Sequence, residues 1–158
     1  MEAGKTGGVI GSKNGKNMRF FILGFFVIFW GGSVGYLEAK DDADTIARGR
    51  PIDHASGLKE RLGIGIVSVL LLWSIALKYG ASAWSFFSIA AVWSASLAIS
   101  FRASLNGLRR KPFFYVSGSN AYDTFFIRWF GRGAGHIATL FEATVLAAGI
   151  LFGFWMRG

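Results

Sequence analysis

Few residues in this 158-residue chain have types and spacing that suit chemistry, and the most conspicuous is a lone carboxylate, Glu142, inside an apolar run. A carboxylate facing lipid is costly, so Glu142 must face protein or water, or take up a proton. As a functional group it would relay protons or cations. As a structural group it would bond to a Ser or Trp on a neighbouring helix or partner. A second cluster, Asp41, Asp42 and Asp44, has the oxygen ligands a hard cation wants but neither the spacing nor the closing Glu of a calcium loop. A solvated charged loop is the favoured reading there. The two histidines, His54 and His136, lie in different segments, and His136 is expected at the membrane surface. No Ser-His-Asp spacing, HExxH or Walker motif is present. Zero Cys excludes disulfides, thiolate metal sites and a Cys nucleophile. The expectation is a non-enzymatic protein with no catalytic residues, no cofactor and no metal.

These groups sit among elements that read as membrane-spanning. The stretch Leu62–Phe101 holds one charged residue, Lys78. Around it, Lys78-Tyr79-Gly80-Ala81-Ser82 reads as a tight turn, with Gly80 ending one helix in the left-handed conformation and Ser82 capping the next. A helix needs about 20 apolar residues to cross a bilayer core, and the flanking runs approach that length. The spacing therefore predicts a central transmembrane helical hairpin over 62–101. Residues 18–37 predict a first transmembrane helix, retained as an anchor rather than cleaved as a signal peptide. Residues 135–158 hold the last one. The fold expected is an all-α integral membrane protein with about four transmembrane helices, the central hairpin and a short interfacial amphipathic helix. Its expected location is the bacterial inner (cytoplasmic) membrane.

Between the spans lie a flexible basic tail (1–17), a charged loop (38–61) and a basic aromatic interfacial segment (102–134). In the charged loop, Asp41, Asp44, Ala47 and Arg48 bear a partial likeness to the motif of CDP-alcohol phosphotransferases. Thr45 stands where that motif has Gly, its Ala-Arg pair falls one residue early, and its later Gly-and-Asp half is missing. The basic aromatic segment carries Arg109, Arg110 and Lys111 before Pro112, then Tyr122, Phe125, Phe126 and Trp129 at helical spacing beside Arg128. Arg109, Arg110, Lys111, Arg128 and Trp129 are the expected lipid-headgroup contacts. A re-entrant loop lining a pore is the alternative there.

Small residues mark where helices should meet. Gly31 and Gly35 form one small-xxx-small pair, and Gly149 and Gly153 form another. Ser88, Ala91 and Ala95 belong to a small-residue stripe on the second hairpin helix. In lipid, such faces let helix backbones approach closely. The serines are expected to bond back to their own helix carbonyls, with a polar path as the alternative.

The formal net charge is +8. Beside apolar spans this points to anionic membrane lipids as partners, and no nucleic-acid motif accompanies it. With four spans, the termini side carries six basic residues and the loop side eleven, which favours termini outside. The basic tail before the first span argues the other way. Three small-residue faces on a short chain suggest further membrane subunits, or copies of itself, as partners. The leading functional expectation is a structural or accessory subunit of a larger energy-transducing, transport or secretion complex. The alternative is a homo-oligomeric channel, small transporter or holin-like pore using Glu142.

Overall fold

The computed structural model describes residues 11–52, 54–118 and 121–155, so residues 1–10 of the expected tail lie outside it. The described residues are helical, with no strand: α1 (Gly11–Ala47), α2 (His54–Lys78), α3 (Ser85–Leu108), α4 (Ala121–Phe130), a single 3-10 turn (Gly131–Gly133) and α5 (Ala134–Trp155). Four stretches are long and apolar enough to cross a membrane: Phe21–Ala47, Lys59–Lys78, Ser85–Leu108 and Ala121–Trp155. The protein is an all-α integral membrane protein.

The helices are longer than the apolar runs. α1 has 37 residues, about 55 Å at 1.5 Å per residue, against a hydrocarbon core of roughly 30 Å. It takes in residues 11–17 of the expected tail and residues 38–47 of the expected charged loop. With α2 starting at His54, the break around Pro51 is short. Pro51 lacks an N–H and cannot continue a helix, but nothing between Glu38 and Ala47 stops one. α3 likewise runs past Phe101 to Leu108, so Arg102 and Asn106 are helical rather than part of a loop.

Helix ends follow from backbone hydrogen bonding. Gly80 (φ 81°) ends α2, with its N–H bonded to Leu77 O (2.9 Å) and the Ala81 N–H to Ala76 O (3.0 Å). This is the left-handed cap that satisfies two otherwise orphaned carbonyls. Ser82 Oγ then accepts the Trp84 N–H (3.1 Å) ahead of α3. α3 ends the same way without a glycine: Arg110 takes φ 54°, its N–H bonds Gly107 O (3.0 Å) and the Lys111 N–H bonds Asn106 O (2.8 Å).

α3 is the centre of the bundle. It packs most extensively on α1, then on α5 and α2. Gly31 lies over Trp93 and Ser96, and Gly35 over Leu97 and Phe101, so α1 and α3 run parallel. A Cβ on Gly31 would come 2.7 Å from the Trp93 carbonyl, and one on Gly35 would overlap the Leu97 carbonyl. α5 runs antiparallel to α3, with Gly149 against Ala91 and Val92 and Gly153 against Ser88. α2 is antiparallel to α1 and meets α3 where Gly65 makes room for the Trp93 ring, 2.8 Å from the position of a Cβ. Val27, Val69, Leu72, Ala76, Ile89, Val92 and Trp93 form the core among α1, α2 and α3. The glycine faces of α1 and α5 are thus occupied within the chain, and so is the α3 stripe at Ser88, Ala91 and Ala95. They are not left over for a partner.

α4 doubles back along α5. Phe126 packs with Ala134 and Ala138, and its ring lies 6.1 Å from that of Phe141. Of the four aromatics at helical spacing, Phe126 is buried, while Phe125 and Trp129 point outward.

Candidate functional site

A polar layer crosses one end of the bundle and is built on two arginines from neighbouring helices. Arg102 lies six residues, about 9 Å of helix, before the end of α3. Glu142 lies about 12 Å into α5 by the same rise. Their antiparallel packing brings Arg102 Nη2 to 2.8 Å from Glu142 Oε1. The Tyr122 hydroxyl, delivered by the doubled-back α4, donates to the same oxygen at 3.0 Å. The Arg102 guanidinium lies 5.6 Å from the Tyr122 ring centroid. Glu142 is 4% exposed and Arg102 9%. Three helices therefore meet on one carboxylate oxygen.

The second arginine, Arg61 of α2, reaches across to α1. It pairs with Glu38 and lies 3.3 Å from Asp42 Oδ2. Glu38 and Asp42 are four residues apart and share a helix face. The Arg61 guanidinium also stands 4.4 Å from the Phe101 ring centroid. The two ion-paired clusters thus join α2 to α1, and α3 to α4 and α5.

Asn106, one turn beyond Arg102, donates to Phe113 O and Tyr115 O, both at 2.9 Å. It is 3% exposed, and it ties the segment after α3 back onto the bundle. Gly135 lies beneath the Phe114 carbonyl, where no side chain fits. His136 stacks on the Phe114 ring at 4.2 Å.

Glu142 faces protein, and its partners are an arginine and a tyrosine rather than the expected Ser or Trp. Arg102 follows the last apolar residue, so polarity alone places it in the interfacial segment 102–134. The absence of a helix breaker before Pro112, Gly107 aside, was the signal that α3 continues. Tyr122 carried only its aromatic character. The serines divide. Ser74 and Ser96 bond back to Leu70 O (2.8 Å) and Val92 O (2.7 Å). Ser88 donates to Gly149 O (2.7 Å) on α5 and Ser100 to Gly32 O (2.6 Å) on α1. Trp30 donates from α1 to Ser68 Oγ on α2 (3.0 Å). Close glycine packing exposes the carbonyls that these hydroxyls reach.

Asp41 and Asp44 are exposed on the α1 extension while Asp42 is engaged by Arg61. Among the described residues, no group of three or more His, Asp or Glu could hold a metal ion. Of the expected headgroup contacts, Arg110, Lys111, Arg128 and Trp129 are exposed and Arg109 is partly covered. Arg109 and Lys111 both lie near the Tyr115 ring, at 5.9 and 5.4 Å from its centroid.

Comparison with protein-family models, with curated proteins and with solved structures finds no match for this chain.

Proposed function

We propose that the protein is a structural or accessory subunit of a larger membrane-embedded complex, without enzymatic activity, in the bacterial inner membrane. The engagement of Glu142 within the chain speaks against a relay, and the exposed extension of α1 is the observation that carries this reading. The carboxylate deepest in the bundle is held by Arg102 and Tyr122. Removing one member of such a pair strands a buried charge, so the cluster acts as a lock between helices. The outer surface supports the same reading. α1 extends beyond a bilayer's thickness, is braced through Arg61, and presents Lys40, Asp41 and Asp44 outward as a rigid charged face. α4 and its flanking basic residues would rest at the headgroups of anionic lipids. Extraction in mild detergent followed by native mass analysis tests this reading. Copurifying membrane subunits are expected, and a lone monomer would overturn it.

One observation favours a pore or transporter instead. Among the described residues, Arg102 Nε and Nη1 and Glu142 Oε2 are buried and have no hydrogen-bond partner, which leaves polar capacity that an ion or a water file could use. In that reading Glu142→Gln changes ion flux, or its pH dependence, in liposomes. Unchanged flux removes it.

A further inference from the structure

At the junction of α3, α4 and α5, three buried atoms have no hydrogen-bond partner among the described residues: Arg102 Nε, Arg102 Nη1 and Glu142 Oε2. The two side chains are joined by Nη2 on Oε1, and the Tyr122 hydroxyl donates to that same oxygen. One carboxylate oxygen thus carries two donors and the other none. Burial makes the imbalance matter, because a buried ion pair offsets its desolvation only when its remaining protons and lone pairs are satisfied as well. Neighbouring polar side chains are engaged elsewhere. Asn106, one turn along α3, donates to the Phe113 and Tyr115 carbonyls. Asp123, next to Tyr122, accepts from the Ser117 N–H and hydroxyl. Turning the carboxylate side-on, so that Oε2 met Nε, would serve two of the three atoms and still leave Nη1 without an acceptor.

The three atoms define the chemistry of what completes them. Two belong to donors and one is an acceptor, so the completing group must both accept and donate. The pair is formally neutral. An anion drawn to the guanidinium would meet the Glu142 carboxylate, and a cation drawn to the carboxylate would meet Arg102. Water is neutral and has both functions, and a buried water typically makes about three hydrogen bonds to polar groups that the protein leaves unserved. We propose an internal hydration site here, in which one or two water molecules accept from Arg102 Nε and Nη1 and donate to Glu142 Oε2. The Tyr122 ring, 5.6 Å from the guanidinium, lies over it on the α4 side. Inward along α3, Ser100, Ser96 and Ser88 each spend the hydroxyl proton on a helix carbonyl. The water is therefore a bound part of the lock between α3 and α5 and not the mouth of a path. This goes beyond the subunit reading and does not need it.

The test uses the full chain with isotope-labelled arginine in detergent micelles, observed by nuclear magnetic resonance. The Arg102 Nε–H signal is identified by its disappearance in Arg102→Met combined with Glu142→Leu, a double replacement that leaves no buried charge behind. Cross-relaxation measurements separate direct contact with long-lived water from proton exchange. The expected result in the wild-type chain is direct water contact at Arg102 Nε–H and none at the backbone amides of residues 92–98. A crystal structure of the wild-type chain should place water within hydrogen-bond distance of Glu142 Oε2 and an Arg102 nitrogen, and the double variant should lose it. A dry Arg102 Nε–H would overturn the proposal. So would anomalous scattering from soaked bromide or rubidium at that position, which would assign it to an ion. Water contacts running on to Ser96 would replace the closed site with a path.

Discussion

Replacing Glu142 with Leu removes the oxygen that both Arg102 and Tyr122 use. The Arg102 guanidinium, 9% exposed, is then left charged and unpaired in the bundle. Breaking a buried pair from one side costs about 3–5 kcal/mol, whereas replacing both partners with apolar residues of similar volume is often neutral. At 1.4 kcal/mol per decade, the single change should raise the unfolding constant by roughly two to three and a half decades. Arg102→Met combined with Glu142→Leu should recover most of it, to within about 1 kcal/mol of the parent. Tyr122→Phe alone should cost about 1 kcal/mol, between the average for hydrogen bonds in membranes and the larger value for bonds to a charged group. On the Glu142→Leu background it should cost almost nothing, because its acceptor is gone. The assay is equilibrium unfolding in mixed micelles of increasing sodium dodecyl sulfate fraction, followed by tryptophan fluorescence. The reasoning fails if Glu142→Leu costs less than about 1 kcal/mol, or if the two arginine-pair substitutions add instead of compensating.

Gly35→Ala should destabilise by about 1–3 kcal/mol through overpacking, since its Cβ meets the Leu97 carbonyl. Gly63→Ala, facing open space, should be neutral or gain up to about 1 kcal/mol from helix propensity. The same unfolding assay reads both, and equal losses would contradict the α1–α3 contact. Arg110→Gly should stabilise by about 1 kcal/mol by relieving a left-handed conformation that costs L-residues about that much; a lower thermal midpoint would refute this. Arg61→Gln should cost about 1–2 kcal/mol, because its pair with Glu38 is partly covered, at 29% and 18% side-chain exposure, and falls between weak exposed pairs and fully buried ones. The loss should shrink in high salt as screening grows, and a salt-independent loss would show that packing on Phe101 carries the effect.

Solvent and secondary structure were legible in the chain itself. Runs such as Leu62–Leu77 and Ala83–Phe101 are too apolar for water, and a backbone in lipid must satisfy itself as helix. Gly80 and Ser82 marked the turn between them because helix ends have local chemistry. Helix lengths were less legible. Polarity marks where a helix leaves the bilayer and not where it stops, so residues 38–47 and 102–108 have the composition of loops and are helical. Glu142 announced through its cost that it needed company, but its company came from residues 40 and 20 positions away. Only the packing of α3 on α5, and the doubling back of α4, turned Arg102 and Tyr122 toward it. The glycine pairs likewise stated that helices approach, while the parallel run of α1 on α3 decided that the approach happens within the chain. Composition and local spacing choose the solvent and the elements. Which polar groups meet depends on crossing geometry, a property of many weak contacts at once that no short window of sequence contains.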